Sequence, residues 1–176
     1  MDHFYEQVVI KQNKTFNDIV FVFANIAMVI LGLLGLIIVQ SLLYNFQILA
    51  LLLGLVCIGL AVLLFLKKGE LRTEFEYTFT NGEIDFAKVF NNEKRKNLGS
   101  MKVQKLDAFG KVNSENFRKF INTPGLKKRN WFLNREAELY YFYFVKENSK
   151  NIIVVEPDEM MVDYIKKYLP RGVYRD

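Results

Sequence analysis

Residues 19–66 contain no Asp, Glu, Lys, Arg or His. Asp18 bounds this run on one side and Lys67-Lys68 on the other. A helix crosses about 30 Å of hydrocarbon with roughly 20 apolar residues. The 48 residues of the run (66 − 18) therefore hold two crossings and a short turn. Gln40, Ser41, Tyr44, Asn45 and Gln47 cluster in the middle, which excludes one long span because the cluster would then lie in lipid. The pattern predicts a transmembrane hairpin over 18–66, with spans at 18–39 and 46–66. A soluble helix pair would carry charges along an outer face, and this stretch has none.

The second span carries the stronger signal. Ile48–Leu66 holds fourteen Leu, Ile, Val or Phe residues, each favouring insertion by about 0.3–0.6 kcal/mol at mid-bilayer. Ala50, Gly54, Cys57 and Ala61 follow at intervals of four, three and four, which places them on one helix face. Ala24, Gly32 and Gly35 form a comparable stripe on the first span, with Asn25 beside it. Small residues let helices approach closely in lipid. The reading is helix–helix packing through Gly32, Gly35, Ala50, Gly54, Cys57 and Ala61.

Charge orients the hairpin. Lys67, Lys68 and Arg72 follow the second span, Lys11 and Lys14 precede the first, and the turn has no charge. The positive-inside rule then puts both termini in the cytoplasm. Residues 67–176 carry 22 basic and 16 acidic residues, a balance of +6. The single cysteine, Cys57, lies mid-span, so no internal disulfide framework exists. Residues 1–17 form a cytoplasmic N-terminal segment in which Phe4 and Val8, four apart, predict a short interfacial helix. His3 is expected at the solvated surface.

Residues 70–176 are expected to form one cytoplasmic α+β domain. Phe75, Tyr77 and Phe79 alternate with Glu74, Glu76 and Thr78, as in a half-buried strand. Asn81-Gly82 is a strong hairpin signal, and its two-residue turn pairs Phe79 with Ile84 and Tyr77 with Phe86. A second strand runs over 83–90, and Lys94-Arg95-Lys96 opens a third. Met101, Val103 and Leu106 suggest a fourth, ending near Phe109-Gly110. Ser114 caps a short helix with Phe117, Phe120 and Ile121 on one face. Leu139–Val145 is apolar or aromatic on both faces, so it is a central strand or one covered by a helix or the membrane. A Val/Ile-rich strand over 151–156 follows. A last helix places Met161, Tyr164, Ile165 and Tyr168 on one stripe, and Pro170 stops it.

This layout resembles that of bacterial membrane proteins with a pleckstrin-homology-like domain, of which the YcxB-like proteins are an example. The residues that carry the resemblance are Glu74–Asp85 with its Asn-Gly turn, the basic Lys94-Arg95-Lys96, and the closing run Ile152–Met161. The resemblance implies a bacterial cell-membrane protein. It further implies a PH-like antiparallel β sandwich, or partly open barrel, closed by a C-terminal helix. It implies no catalytic activity. Phosphoinositide-binding members place Lys and Arg around the first hairpin. Here that turn is Thr80-Asn81-Gly82-Glu83 with Asp85 next, so inositol-lipid specificity does not carry over.

With one histidine and one mid-span cysteine, most nucleophile–base pairs cannot be built. No Gly-rich phosphate loop and no Cys/His metal spacing occurs. The reading is non-enzymatic, with no cofactor and no nucleic-acid partner. Lys94, Arg95, Lys96, Lys127, Lys128 and Arg129 are the candidate contacts to anionic lipid, and Trp131 is the candidate interface anchor. The expected role is a membrane-tethered module that contacts lipid headgroups or a protein, through a sheet edge or the groove beside the closing helix. The alternative is an accessory or self-associating subunit of a transporter or channel.

Overall fold

The computed structural model describes residues 2–175. They divide into two units. One comprises the residues up to Gln12, Glu74–Val89 and Lys94 onward; the other comprises Asn13–Thr73 and Phe90–Glu93.

The second unit is a helical hairpin. Helix α1 runs Lys14–Ser41 and α2 runs Ile48–Lys67, followed by a 3₁₀ turn, Lys68–Arg72. At 1.5 Å per residue, α1 is about 42 Å long and α2 about 30 Å. Both helices are long and apolar enough to cross a membrane. Their large side chains are exposed, Leu33 at 56% and Leu55 at 55%. A helix from a soluble core would bury such residues. Helix α1 starts before Asp18 because its polar first turns are tied down. Asn17 Nδ2 donates to Leu71 O at 2.9 Å, and Arg72 Nε donates to Asp18 Oδ1 at 2.8 Å.

The first unit is built on two four-stranded sheets. Strands β1 (Phe4–Val9), β2 (Thr73–Thr80), β3 (Glu83–Phe90) and β4 (Lys94–Lys102) form one sheet in that order. The other contains β5 (Ala108–Lys111), β6 (Lys127–Trp131), β7 (Tyr140–Lys146) and β8 (Ser149–Val155), in the order β5-β7-β8-β6. The two sheets are separate, so the sandwich is only partly open and not a closed barrel. Helices α3 (Glu115–Ile121) and α4 (Glu159–Tyr168) complete the unit. Asn81 and Gly82 take φ of 48° and 90°, as the tight hairpin between β2 and β3 requires. Phe75, Tyr77 and Phe79 of β2 and Ile84 and Phe86 of β3 all point into the core.

Both faces of the second sheet are covered. Phe142 and Ile153 face the main core, while Tyr141, Tyr143 and Ile152 face a smaller cluster with Phe117, Phe120 and Ile121 of α3. This explains the continuously apolar run in β7. Ser114 caps α3 by accepting from Phe117 N. Helix α4 buries Met161, Val162 and Ile165, and its Tyr164 stacks on Phe79 with ring centres 5.7 Å apart.

Four expectations are corrected. Residues 4–9 are a strand, not an interfacial helix: β1 pairs antiparallel with β2, Tyr5 opposite Phe79 and Val9 opposite Phe75. The alternation Tyr5, Gln7, Val9 governs, because a ready strand edge satisfies backbone groups that an isolated short helix would not. Met101–Leu106 is not a separate strand. Met101 lies in β4, Val103–Lys105 is a 3₁₀ turn, and the next strand starts at Ala108. The strand set is not wholly antiparallel, since β6 pairs parallel with β8. His3 is only partly solvated: it is half-buried, with its Nδ1 2.9 Å from Tyr168 Oη and its ring packed on Tyr164.

The β1 segment is bonded into the unit by polar side chains. Gln7 Nε2 donates to Glu156 O at 2.9 Å, and Asp158 N donates to Gln7 Oε1 at 3.0 Å. Tyr5 Oη donates to Asp158 Oδ2 at 2.5 Å. That bond, ahead of burial, pushes the Tyr5 phenol up to about 12. Asn134 Nδ2 donates to Ile10 O and to Glu156 Oε1.

Candidate functional site

The cationic residues gather on the two strands that end the sheets. Strand β4 is the outer strand of the first sheet and carries Lys94, Arg95, Lys96 and Lys102. Strand β6 is the outer strand of the second and carries Lys127, Lys128 and Arg129. Neither strand contains an acidic residue. All seven cations are exposed. Charged outer strands also discourage edge-to-edge aggregation, which is the structural reason for some of this charge.

The seven are not equivalent. Arg95 Nη2 stands 2.8 Å from Glu76 Oε2, and that carboxylate is only 18% exposed. Arg95 therefore neutralises a half-buried acid in its own sheet. Alternation along β6 puts Lys127 and Arg129 on the face of Trp131, and Lys128 on the other face. Trp131 belongs to the main core. It is 9% exposed, with its ring centre 4.9 Å from that of Phe86. Its backbone carbonyl accepts from the buried Tyr77 hydroxyl. Burial pushes the Tyr77 phenol well above its ordinary value.

Between these strands lies a groove of about 640 Å³. Phe86, Trp131, Phe144 and Ile153 form its floor, and Leu98 and Met101 of β4 form one wall. Lys102, Lys105, Arg129 and Lys146 reach it, with Glu83 and Glu147. Of the residues singled out from the sequence, only Arg129 and Trp131 line it. Lys94, Arg95, Lys96, Lys127 and Lys128 lie outside. Lys102, Lys105 and Lys146 went unnoticed because none stands in a run of adjacent basic residues; only the tertiary fold brings them to Arg129.

A second groove, of about 580 Å³, runs beside α4 and is acidic. Its lining holds Glu138, Glu156, Asp158, Glu159 and Asp163 and one cation, Lys166, and Glu138 also pairs with Lys111. Glu156 and Asp158 are committed to backbone donors, so this groove is held by the fold's own hydrogen bonds.

In the hairpin, Gly35, Gly54 and Ala61 are buried, and Ala50 and Cys57 are half-buried. A β-carbon on Gly35 would stand 2.6 Å from Ile58 Cγ1 and 3.2 Å from Gly54 O. One on Gly32 would stand 4.0 Å from Ala61 Cβ. The two glycine-bearing faces therefore meet at backbone distance around Gly35 and Gly54. Asn25 Oδ1 accepts from Lys68 Nζ at 2.7 Å, and the Arg72 guanidinium lies 4.1 Å from the Phe21 ring centre. Long cations folded back over aromatic rings in this way suit the end of a membrane helix.

No curated protein and no solved structure matches this chain. Residues 1–175 match one family, described as bacterial PH-like domain (DUF6106). Two separate four-stranded sheets, a closing amphipathic helix and that match over nearly the whole length agree, and the chain belongs to the bacterial PH-like domain family DUF6106.

Proposed function

We propose that this is a two-span protein of the bacterial cell membrane whose cytoplasmic PH-like domain docks on anionic lipid headgroups. One observation carries the reading: β4 and β6 present four and three cations and no acid, in a chain with two helices of membrane-crossing length. Near an anionic leaflet each cation contributes about 1 kcal/mol. Arg95 contributes less, because Glu76 already holds it.

Connectivity supports the topology. Helix α1 follows β1, α2 precedes β2, and β1 pairs directly with β2. The hairpin is thus an insertion in a β1–β2 connection, and both of its ends lie on the domain's side of the membrane. Tyr44, 88% exposed in the turn, falls on the opposite side. In a Cys57→Ala background, Tyr44→Cys is expected to react with an impermeant thiol reagent in intact cells. Lys150→Cys is expected to react only after the cells are opened. The reverse pattern would put the domain outside and remove the inner-leaflet argument.

The docking itself is tested by amide exchange of the full chain in nanodiscs. Replacing part of the phosphatidylcholine with phosphatidylglycerol is expected to slow exchange in β4 and β6. Lys94→Gln, Lys96→Gln, Lys127→Gln and Lys128→Gln together are expected to erase that protection. Equal exchange in both lipids rejects the proposal. The transporter-subunit alternative has less support. The hairpin interior has no charged residue with which to build an ion path, and Gly35 and Gly54 use their small faces on each other.

A further inference from the structure

The groove between β4 and β6 has properties that surface docking does not require. Its floor is aromatic and aliphatic, while its rim carries four cations, Lys102, Lys105, Arg129 and Lys146, against two carboxylates, Glu83 and Glu147. Its volume of about 640 Å³ falls in the range of small-molecule sites, about 300–1,000 Å³. Four cations outside the groove are ion-paired: Lys67 with Glu70, Arg72 with Asp18, Arg95 with Glu76 and Lys111 with Glu138. Among the described residues, Lys102, Lys105, Arg129 and Lys146 have no such partner. An apolar floor under a rim with an excess of positive charge matches an amphiphile with an anionic head.

We propose that this groove holds one anionic phospholipid, its phosphate at Arg129 and Lys102 and part of an acyl chain over Phe86, Trp131 and Phe144. The proposal rests on the anionic-lipid reading above and deepens it. Arg129 supplies the planar fork that engages two phosphate oxygens at once. An added peptide strand fits less well. Gly99 interrupts the β4 edge with φ of 127°, and its N–H is already bonded to Asn97 Oδ1 at 2.7 Å. Such a break blunts a strand edge against pairing. The tether also keeps bilayer lipid at high local concentration, whereas a soluble peptide must come from elsewhere.

Trp131 is the only tryptophan in the chain and lines the groove, so it reports occupancy directly. The full chain is placed in nanodiscs containing phosphatidylglycerol, or else phosphatidylcholine, with brominated acyl chains. Brominated phosphatidylglycerol is expected to quench Trp131 emission by more than half, and brominated phosphatidylcholine to leave it nearly unchanged. Arg129→Gln with Lys102→Gln is expected to abolish the quenching, while Arg118→Gln with Lys119→Gln, exposed on α3 outside the groove, leaves it intact. Equal quenching by the two lipids, or quenching that survives the first pair of substitutions, overturns the proposal. No quenching together with slowed exchange in β4 and β6 overturns the groove alone and leaves surface docking standing. No quenching and no slowed exchange overturns both. A shift of Trp131 emission on adding a soluble alternating Glu-Leu peptide, with no quenching by lipid, assigns the groove to acidic peptide instead.

Discussion

Gly35→Leu is expected to separate α1 from α2 and to give the largest loss of hairpin stability of any single change considered. A β-carbon at Gly35 lies 2.6 Å from Ile58 Cγ1 and 3.2 Å from both Gly54 O and Ile58 N. Ile58 can change rotamer, but the two backbone atoms move only if the helices do. Overpacking a well-filled site costs about 1–3 kcal/mol, and the leucine here adds three further carbons against backbone. A cost of about 3 kcal/mol or more is the estimate at the upper end of that range. Gly59 provides the control, because a β-carbon there meets nothing within 4 Å. Titration of the purified chain with a denaturing detergent reads the difference. Gly35→Leu should unfold the hairpin at a clearly lower detergent fraction, and Gly59→Leu should match the parent. Coincident midpoints for the two would remove the claim that small residues set the helix contact. Gly54→Ala should fall between them, since its nearest neighbours are the side-chain methyls of Val39 and Ile38 at 2.9 and 3.3 Å.

The second large effect is expected for Glu156→Ala, which acts on the sandwich. Glu156 Oε2 accepts from Leu133 N at 3.1 Å and from Asn134 N at 2.9 Å, while Oε1 accepts from Asn134 Nδ2 at 2.7 Å. Asn134 is 9% exposed and in turn accepts from Gln12 N and donates to Ile10 O. Removing the carboxylate leaves the Leu133 and Asn134 backbone donors without their acceptor at a half-buried site beside the acidic groove. An orphaned buried donor costs about 1–3 kcal/mol, so the loss is about 3 kcal/mol when partial relaxation is allowed for. For a domain of this size that lowers the thermal midpoint by roughly 10 °C. Near-UV circular dichroism of the detergent-solubilised chain follows the transition. Amide exchange should quicken first in β1, whose end is held through Asn134. Glu156→Gln keeps one carbonyl acceptor and should lie between parent and alanine. An unmoved midpoint, or faster exchange confined to α4, would show that the carboxylate does not join these segments.

Several elements are legible in the amino-acid order because their causes are local. The charge-free run at 19–66 specifies helices by hydrogen-bond demand and composition alone. Asn81-Gly82 turns a hairpin because both residues accept positive φ. Ser114 caps α3 through a bond to a residue three positions on, and α4 shows its buried stripe at helical spacing. The cations of β4 and β6 are also plain in the sequence.

What the sequence does not decide is which distant segments meet. Phe4 and Val8, four apart, satisfy a helical period, yet β1 pairs with a strand about seventy residues later because a sheet edge awaits it there. Lys127–Trp131 reads as a basic loop beside an aromatic anchor. In the fold it is an outer strand parallel to β8, with Trp131 turned onto Phe86. The two-sided apolarity of β7 fits a central strand, a helix cover or a membrane face, and α3 settles it by packing Phe117 and Phe120 on Tyr141. The groove exists only because Lys102, Arg129 and Lys146, on three different strands, converge there. Periodicity and turn chemistry act within a few residues and can be read from one chain. Pairing across tens of residues depends on which arrangement buries the most apolar surface while satisfying every backbone group, and that choice belongs to the tertiary structure.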